Sequence, residues 1–386
     1  KDGKREGKTT SWYPSGEIQL EVNYIDGKKE GKSTSWHKNG QKKSEQNHKD
    51  GKREFQSTSW YQNGQKKSEE NYKDDKETTW YQSGEIKSEV NYLLSKRQGK
   101  DTTWYENGQK KAQNHYINGK KEGKSTVWYQ NGQKKSEVNY KDNTIDGKQT
   151  EWYENGQVKS EGNYKAGNAG FTVFTGQKEG KFTTWHENGQ KKSDQNYING
   201  KREFQSTSWY QNGQVETQEN YKDSKMTTWY PSGEIKSEVY YKNSKRHGKD
   251  TSWYVNGQKK AQQNYINGKK EGKSTVWYQS GQKNSEVNYK DNMTDGTKTE
   301  WYENGQKKSV SNYKDGNAGF TVFSGQKEGK FTTWYENGQI KSEENYLDNK
   351  REGKRTSWHK NGQIMYKDNF KDGKLDGIKT KWNKDG

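Results

Sequence analysis

The sequence predicts an all-β protein, an elongated single-layer antiparallel sheet of about 16 tandem β-hairpins that twists into a rod. All 16 Trp residues occupy the same slot of a recurring unit, and eleven of the fifteen intervals between them are 24 residues, two are 20 and two are 33. Around each Trp, the residues alternate with the period of two that is typical of strands. Gly and Asn recur between the alternating segments, and a fixed period in this range indicates a repeat architecture.

The composition limits what kind of core the chain can build. Only 23% of its 386 residues are hydrophobic, but 13% are aromatic, and aromatic rings bury a large area per residue. A composition this polar is often that of a disordered chain, so the aromatic content favours a thin layer held by Trp and Tyr over a thick aliphatic core. Without Cys there are no disulfides or thiolate metal sites.

The charge favours anionic partners. The net charge is +18, from 70 Lys and Arg against 52 Asp and Glu, which suits an anionic lipid headgroup or an acidic glycan. Lys far outnumbers Arg, so bidentate phosphate recognition, and with it nucleic acid, is disfavoured. A solvated surface of mixed sign that keeps a long rod soluble is the simpler interpretation and is favoured here. No apolar run approaches the ~20 residues of a membrane span.

One repeat shows how the hairpin is read. Residues 32–37 and 42–48 alternate and predict two strands joined through Asn39-Gly40. A two-residue turn would place Trp36 on the face of Glu45 and Asn47. A three-residue loop, a type I turn with Gly in the left-handed region, would place Trp36 on the face of positions 42, 44, 46 and 48. The three-residue loop is predicted, because it collects Ile18, Leu20 and Val22 of the first repeat on one side.

This register assigns two faces. Face one is predicted to carry a structural Trp column: Trp12, Trp36, Trp60, Trp80, Trp104, Trp128, Trp152, Trp185, Trp209, Trp229, Trp253, Trp277, Trp301, Trp334, Trp358 and Trp382. The same face is predicted to carry a second aromatic column, eight residues after each turn Gly, as at Tyr24, with His48 and Phe370 as variants. Face two is predicted to carry Lys43, Glu45, Asn47 and their equivalents, with a candidate ligand-stacking ladder: Tyr13, Tyr61, Tyr81, Tyr105, Tyr129, Tyr153, Tyr210, Tyr230, Tyr254, Tyr278, Tyr302 and Tyr335. Lys beside Tyr could stack sugars or bases, although rings that only cover Lys stems are the favoured interpretation.

The motif Trp-Tyr-x-Asn-Gly-Gln, followed by Asn-Tyr-x-x-Gly-Lys-x-x-Gly, resembles the MORN repeat (membrane occupation and recognition nexus) in its bacterial variant, the type often labelled a YwqK-family antitoxin. The resemblance covers essentially the whole chain. It implies tandem hairpins in one long antiparallel sheet. It also implies a scaffold or binding surface, since members of the family have been linked to membranes and to protein partners.

The repeats are predicted to form one continuous array over residues 1–386. A super-repeat of 149 residues covers 36–184 and 185–333, and each copy carries one shortened interval, as at residues 73–76. Insertions lie at 166–176 and 315–325. Their aromatic residues form either a binding protrusion or, as favoured, a short extra strand that packs on the aromatic face: Phe171, Phe174, Phe320 and Phe323. The chain starts inside a repeat and is expected to be a segment of a longer protein.

Nothing in the pattern marks a catalytic site. The six His residues do not cluster, and most of them replace Tyr within a column. A metal site needs several converging ligands, so neither a metal nor a cofactor is predicted. Glu45 and its equivalents recur beside Lys43 and its equivalents, which favours cross-strand charge compensation over acid–base chemistry. The chain is therefore expected not to be an enzyme.

Three functions are compatible with these observations. The favoured one is a non-catalytic scaffold of a surface-exposed or filamentous, structural or adhesive protein, which binds itself or another protein through its aromatic faces. The second is a binder of anionic lipid headgroups or acidic glycans. The third, which comes only from the family resemblance, is a toxin-neutralising protein. The cell surface or the extracellular space is the favoured location, with the cytoplasm as the alternative.

Overall fold

The computed structural model describes residues 3–73, 75–166, 176–314 and 325–383. Within these ranges the chain forms 39 β-strands and no helix. It divides into two compact units, Lys1–Glu203 and Phe204–Gly386. In each unit the strands pair antiparallel in tandem hairpins within an open sheet. The predicted all-β class and hairpin architecture are confirmed.

The strands fall into three groups. The first arm of each hairpin is one of β1 Gly7–Trp12, β4 Gly31–Trp36, β6 Lys52–Trp60, β8 Lys76–Trp80, β11 Gly99–Trp104, β14 Gly123–Trp128, β16 Thr144–Trp152, β18 Gln177–Trp185, β20 Lys201–Trp209, β22 Lys225–Trp229, β25 Gly248–Trp253, β28 Gly272–Trp277, β30 Met293–Trp301, β33 Gly329–Trp334, β36 Gly353–Trp358 and β39 Thr380–Lys381. The second arms are β2 Ile18–Ile25, β5 Lys42–Lys49, β7 Lys66–Asn71, β9 Ile86–Leu93, β12 Lys110–Ile117, β15 Lys134–Lys141, β17 Val158–Lys165, β19 Lys191–Ile198, β21 Val215–Asn220, β23 Ile235–Lys242, β26 Lys259–Ile266, β29 Lys283–Lys290, β31 Lys307–Lys314, β34 Ile340–Leu347 and β37 Ile364–Lys371. Short pieces follow the return turns as β3 Lys28–Lys29, β10 Lys96–Arg97, β13 Lys120–Lys121, β24 Lys245–Arg246, β27 Lys269–Lys270, β32 Gln326–Lys327, β35 Lys350–Arg351 and β38 Lys374–Leu375.

The tip of each hairpin is the predicted three-residue loop. The amide of His37 donates to the carbonyl of Gln41 at 2.8 Å, and the amide of Gly40 donates to the carbonyl of His37 at 2.9 Å. Gly40 has a φ of +79°, a region that Gly enters without the steric penalty of a Cβ. The Asn-Gly pair therefore marks a type I turn with a left-handed Gly.

A β-bulge next to the tip of the hairpin makes the predicted assignment of residues to the two faces wrong. Trp36 pairs with Lys42, but Ser35 already pairs with Ser44, so Lys43 has no partner opposite it. One extra residue in a strand shifts every later side chain to the other face. Beyond the bulge, Thr34 therefore pairs with Glu45. The Trp column shares its face with the positions of Glu45 and Asn47, and the Tyr24 column lies on the opposite face.

The return turns explain why there are more strands than the predicted 32 or so. Ile25 pairs with Lys28 across a two-residue turn, in which Asp26 and Gly27 have φ of +51° and +79°. Positive φ at both central residues is the type I′ turn that suits the twist of a hairpin. The turn adds a two-residue ladder of its own before the chain enters the next first arm, and seven such ladders are described. The eighth short strand, β32, pairs with β31 across the insertion at 315–325.

Both edges of the sheet are hydrogen-bonded from one repeat to the next. At the return turns, the amide of Gly51 donates to the carbonyl of Lys29 at 3.0 Å. At the tips, the amide nitrogen of the Asn39 side chain donates to the carbonyl of Gln62 at 2.8 Å. The Asn39 side chain also accepts from the amide of Gln41 at 3.2 Å. The recurring Asn and Gly of the motif thus hold neighbouring repeats in register, which explains their positions.

The best-buried apolar side chains lie on the face of the Tyr24 column. They are Val22, Val90, Tyr116, Val138, Tyr197, Val239 and Val287. The Trp rings on the other face are mostly half-buried, and Trp12 is 58% exposed. The thin core predicted from the composition is therefore formed mainly by Val and Tyr rather than by Trp.

Phe55 occupies a position where other repeats have Gly, and we predict that it destabilises the fold. Its φ is +62° and its side chain is 65% exposed. A bulky residue in this region is strained, and the exposed ring gains little packing in return. Phe55→Gly should therefore raise the free energy of unfolding by about 1 kcal/mol. Urea denaturation checks this; a decrease would show that the ring is held by packing.

Asp101 is a buried carboxyl group whose charge should destabilise the fold at neutral pH. It is 4% exposed, and burial raises its pKa despite a hydrogen bond from the Asn91 amide and the nearby Arg97 guanidinium. A raised pKa favours the protonated form in the folded state, so stability is lost as pH rises through that pKa.

Asp101→Asn should therefore raise the free energy of unfolding at pH 7 by about 1 kcal/mol and change it little near pH 3, where the carboxyl group is already neutral. Urea denaturation at both pH values measures this difference. An equal effect at both pH values would exclude the charge as the cause.

Candidate binding face

The predicted ligand-stacking ladder has a structural role at its hydroxyl ends. The hydroxyl of Tyr61 donates to the carbonyl of Trp80 at 2.9 Å, and that of Tyr129 donates to the carbonyl of Trp152 at 2.9 Å. The same bond to the next repeat is made by Tyr13, Tyr81, Tyr105, Tyr153, Tyr210, Tyr230, Tyr254, Tyr278, Tyr302 and Tyr335. The Tyr rings are thereby fixed in a row, half-buried, with their hydroxyl groups already used.

Lysine side chains lie over these fixed rings. In the described chain nine Lys ammonium groups lie 5.5–5.8 Å from a Tyr ring centroid of their own hairpin: Lys67, Lys87, Lys111, Lys135, Lys159, Lys236, Lys260, Lys308 and Lys341. We call these nine residues the lysine column. Each occupies the bulge position of Lys43, and each is exposed. A cation over a Tyr face is weakly attracted to it but keeps most of its hydration.

The neighbouring lysines, one residue earlier, are bound differently. Lys134 makes an ion pair with Glu137 at 2.9 Å and lies 5.5 Å from the ring centroid of Trp152 in the next repeat. Lys124 makes a second ion pair with Glu137 at 2.6 Å. These hydrogen bonds, from Lys124 first, lower the pKa of the Glu137 carboxyl group. Lys42, Lys66 and Lys283 are paired with a Glu in the same way, whereas Lys110 has Gln113 at that position. Where the Glu is present, the lysine of the Trp face is neutralised within the fold.

The lysine column has no such carboxylate. Among the described residues, none of its nine members makes an ion pair with Asp or Glu, whereas Glu45 pairs with Lys32 at 2.6 Å and with Lys42 at 2.8 Å. The sequence pattern predicts that Glu45 lies on the same face as Lys43. That prediction is wrong, because the bulge at Lys43 moves Glu45 to the Trp face. The predicted charge compensation thus occurs on the other face and leaves the lysine column available.

The column is regular within the Lys1–Glu203 unit. Lys67, Lys87, Lys111, Lys135 and Lys159 come from five successive hairpins. Each hairpin adds two strands, so neighbouring ammonium groups are ~10 Å apart along the sheet. Such spacing can match the repeating charges of a linear polymer.

The remaining expectations concern His48, metal binding and the Phe residues of the insertions. His48 is buried in the Tyr24 column, as predicted for a substitution, and burial lowers the pKa of its imidazole, as do the charges of Lys29 and Arg53. The described part of the chain holds no group of three His, Cys, Asp or Glu side chains that could bind a metal. Phe171, Phe174, Phe320 and Phe323 lie outside the described residues. No helix long and apolar enough to cross a membrane occurs in the described ranges.

The fold and the repeated site define a tandem β-hairpin repeat protein. The chain belongs to the family described as MORN repeat variant, whose model matches fourteen segments, at residues 5–26, 29–50, 56–74, 76–93, 97–118, 121–142, 145–166, 178–199, 205–223, 224–243, 270–291, 294–315, 327–348 and 351–372. No curated protein sequence matches the chain.

Similarity to solved structures is weak. The crystal structure of TcdB2-TccC3 matches with 10% identity and a TM-score of 0.16, over 98% of this chain and 19% of that one. The Photorhabdus luminescens Tc holotoxin pore matches with 11% identity and a TM-score of 0.17, over 95% and 23%. Alternansucrase in complex with isomaltononaose matches with 14% identity and a TM-score of 0.17, over 68% and 19%. The chain thus spans about a fifth of the length of these proteins, and the scores are too low to bear on its function.

Proposed function

We propose that this chain is a non-catalytic binding scaffold of a surface-exposed or filamentous, adhesive protein, and that the lysine column holds an acidic glycan. The observation that carries this proposal is that, within the part of the chain that the structure describes, the lysine column makes no ion pair with a carboxylate, whereas lysines of the Trp face such as Lys134 do. An extended partner suits a site that is repeated in successive hairpins and that has no single centre.

The affinity comes from the number of contacts along the array rather than from the strength of each contact. A single exposed ion pair contributes only about 0–1 kcal/mol. Once one lysine is engaged, however, the next contact on the same polymer is intramolecular, so weak contacts multiply along the array. The Tyr rings under the ammonium groups add flat apolar surface on which a sugar ring can stack.

Polygalacturonate binding, followed by isothermal titration calorimetry at low salt, tests the proposal. Replacing the five successive lysines of the first unit by Gln (Lys67, Lys87, Lys111, Lys135 and Lys159) should weaken binding at least tenfold. The matched control replaces five lysines of the Trp face that are paired with a carboxylate: Lys42, Lys66, Lys134, Lys191 and Lys283. It removes the same charge, and we expect only a small loss of affinity.

Equal losses in the two variants would show that net charge alone attracts the polymer and would refute the proposed site. Phosphatidylserine vesicles form a separate arm of the same experiment. Binding to vesicles without binding to polygalacturonate would assign the lysine column to lipid headgroups instead.

Self-association is a second candidate function, supported by exposed apolar side chains at the return-turn edge. Ile25, Leu93 and Ile266 are each at least 51% exposed, and Leu94 is 86% exposed. Ile25, Leu93 and Ile266 occupy the same position of different repeats, and exposed apolar surface often marks an interface. Light scattering over a salt series tests this: assembly through apolar contacts should persist above ~0.5 M salt, where charges are screened within a few Å. A monomer in every buffer would refute it.

The toxin-neutralising alternative stays a prediction that comes from the family resemblance alone. The location at the cell surface or outside the cell also stays a prediction.

A further inference from the structure

The two shortened intervals of the array each leave a cavity. Between Trp60 and Trp80 the second arm β7 runs into β8 through only four residues, without the return turn and short ladder of the regular repeats. A cavity of about 290 Å³ lies at this place. The equivalent connection between β21 and β22, 149 residues later in the sequence, has a cavity of about 350 Å³. We call them the first and the second notch.

The two notches share a common lining. The first is lined by Glu70, Asn71, Tyr72, Lys76, Tyr92 and Ser95. The second is lined by the equivalent Glu219, Asn220, Tyr221, Lys225, Tyr241 and Ser244. Each therefore offers two Tyr rings together with amide, hydroxyl and carboxylate groups. The same cavity with the same residue types occurs once in each of the two units.

The positive charges of the two shared lysines are compensated. Lys76 makes an ion pair with Glu89 at 2.9 Å, and Lys225 makes one with Glu238 at 2.6 Å. The lysines are thus neutralised by residues that belong to the sheet, which disfavours an anionic ligand.

A cationic ligand is disfavoured as well. The first notch has further carboxylates at Asp75 and Glu77, but Ser224 and Met226 stand at these positions in the second half of the chain. The one carboxylate that both notches share, Glu70 or Glu219, already accepts the hydroxyl of its neighbour Tyr72 or Tyr221, at 2.7 and 2.8 Å. The additional negative charge of the first notch is not shared. The shared features are the Tyr rings and the hydrogen-bonding groups.

The backbone of a strained aromatic residue is hydrogen-bonded to a lining residue of each notch. Phe55 and Phe204 both have positive φ, +62° and +68°, and their side chains are 65% and 63% exposed. The Phe55 carbonyl accepts from the Tyr72 amide at 2.7 Å, and the Phe204 carbonyl accepts from the Tyr221 amide at 2.8 Å. A strained backbone that places an apolar ring in solvent is typical of a functional site.

We propose that each notch binds a short segment of a neutral oligosaccharide. Aromatic rings stack on the apolar face of a sugar, while amide, hydroxyl and carboxylate groups hydrogen-bond to its hydroxyls. The volumes lie at the lower end of the roughly 300–1,000 Å³ of small-molecule sites, which is room for about one disaccharide. This site is separate from the lysine column and does not depend on charge.

The test titrates the chain with cellohexaose, maltohexaose and xylohexaose by isothermal titration calorimetry. At least one of these sugars should bind at two sites per chain, with an affinity that changes little with salt. Replacing residues 73–75 by residues 117–123 of a regular repeat restores the missing return turn, fills the first notch and retains every shared lining residue. This variant should bind one sugar per chain, and filling the second notch as well should abolish binding.

Single substitutions separate the ligand contact from the fold. Tyr92→Ala should weaken sugar binding at the first notch at least tenfold. Tyr140→Ala, in the same Tyr column but in a regular repeat, should leave it unchanged. The proposal is overturned if no hexasaccharide binds, if the doubly filled variant binds as well as the parent chain, or if Tyr140→Ala weakens binding as much as Tyr92→Ala. Polygalacturonate binding by the doubly filled variant shows separately whether the lysine column functions.

Discussion

Replacing Arg355 by Ala should lower the stability of the hairpin formed by β36 and β37 by about 3–5 kcal/mol. Arg355 holds the carboxylate of Asp368 in a two-pronged contact, with its Nε 2.8 Å from Oδ1. The Asp368 side chain is fully buried, and that of Arg355 is 15% exposed. The guanidinium also lies over the rings of Tyr366 and Phe370, at 4.6 and 4.9 Å from their centroids. Removing it would leave a buried charge without a partner and take away packing surface.

The regular repeats supply the control for this prediction. At the positions equivalent to Arg355 and Asp368, Ser33 pairs with Gln46. The double variant Arg355→Ser with Asp368→Gln should therefore recover most of the lost stability, because it leaves no buried charge. Urea denaturation, with hydrogen exchange of β37 as the local measure, checks both variants. A loss below 1 kcal/mol in Arg355→Ala would show that water reaches the carboxylate.

Replacing Trp152 by Ala should cost about 2–3 kcal/mol, less than the 3–5 kcal/mol of a fully buried Trp, because its ring is half-buried. The ring lies under the Lys134 ammonium of the preceding repeat, and its carbonyl accepts the hydroxyl of Tyr129. Repeat proteins are stabilised mainly by contacts between neighbours. Hydrogen exchange should therefore rise in the hairpin of Trp152 and in the hairpins that flank it.

The matched control is Trp12→Ala, since Trp12 occupies the same slot but is 58% exposed. It should cost less than about 1 kcal/mol, because little apolar area is lost. A uniform rise of exchange over the Lys1–Glu203 unit in Trp152→Ala would contradict the nearest-neighbour picture.

The turn geometry could be predicted from the sequence, but the faces could not. Asn39-Gly40 indicated the three-residue loop correctly, but the apolar pattern used to choose it was misread. Ile18 pairs with Trp12 whereas Leu20 pairs with Ser11, so these apolar residues do not share one face. The bulge at Lys43 has no local signal, because Lys42 and Lys43 are chemically the same and nothing in the pair shows which one leaves the ladder. One unrecognised residue was enough to move Glu45 and the Trp column to the face opposite the Tyr24 column.

The candidate sites could not be predicted without knowing where the bulge lies. Lys beside Tyr was predicted as a stacking ladder, but its unpaired charge becomes visible only when Glu45 lies on the other face. The shortened intervals were recognised, whereas their cavities depend on how the turns on either side project. Phe55 offered a signal that was missed: aligning it with Gly31 and Gly123 of other repeats shows an aromatic residue at a position that favours Gly.

The most direct test of the account is the salt dependence of polygalacturonate binding. The logarithm of the association constant is measured against the logarithm of salt concentration for the parent chain, the variant with five lysine-column residues replaced, and its control with five Trp-face lysines replaced. If the lysine column contacts the polymer, its variant should lose roughly 0.7 of slope per lysine, taking the value for single-stranded nucleic acids, and the control should keep the parent slope. Equal slopes in the two variants would contradict the account.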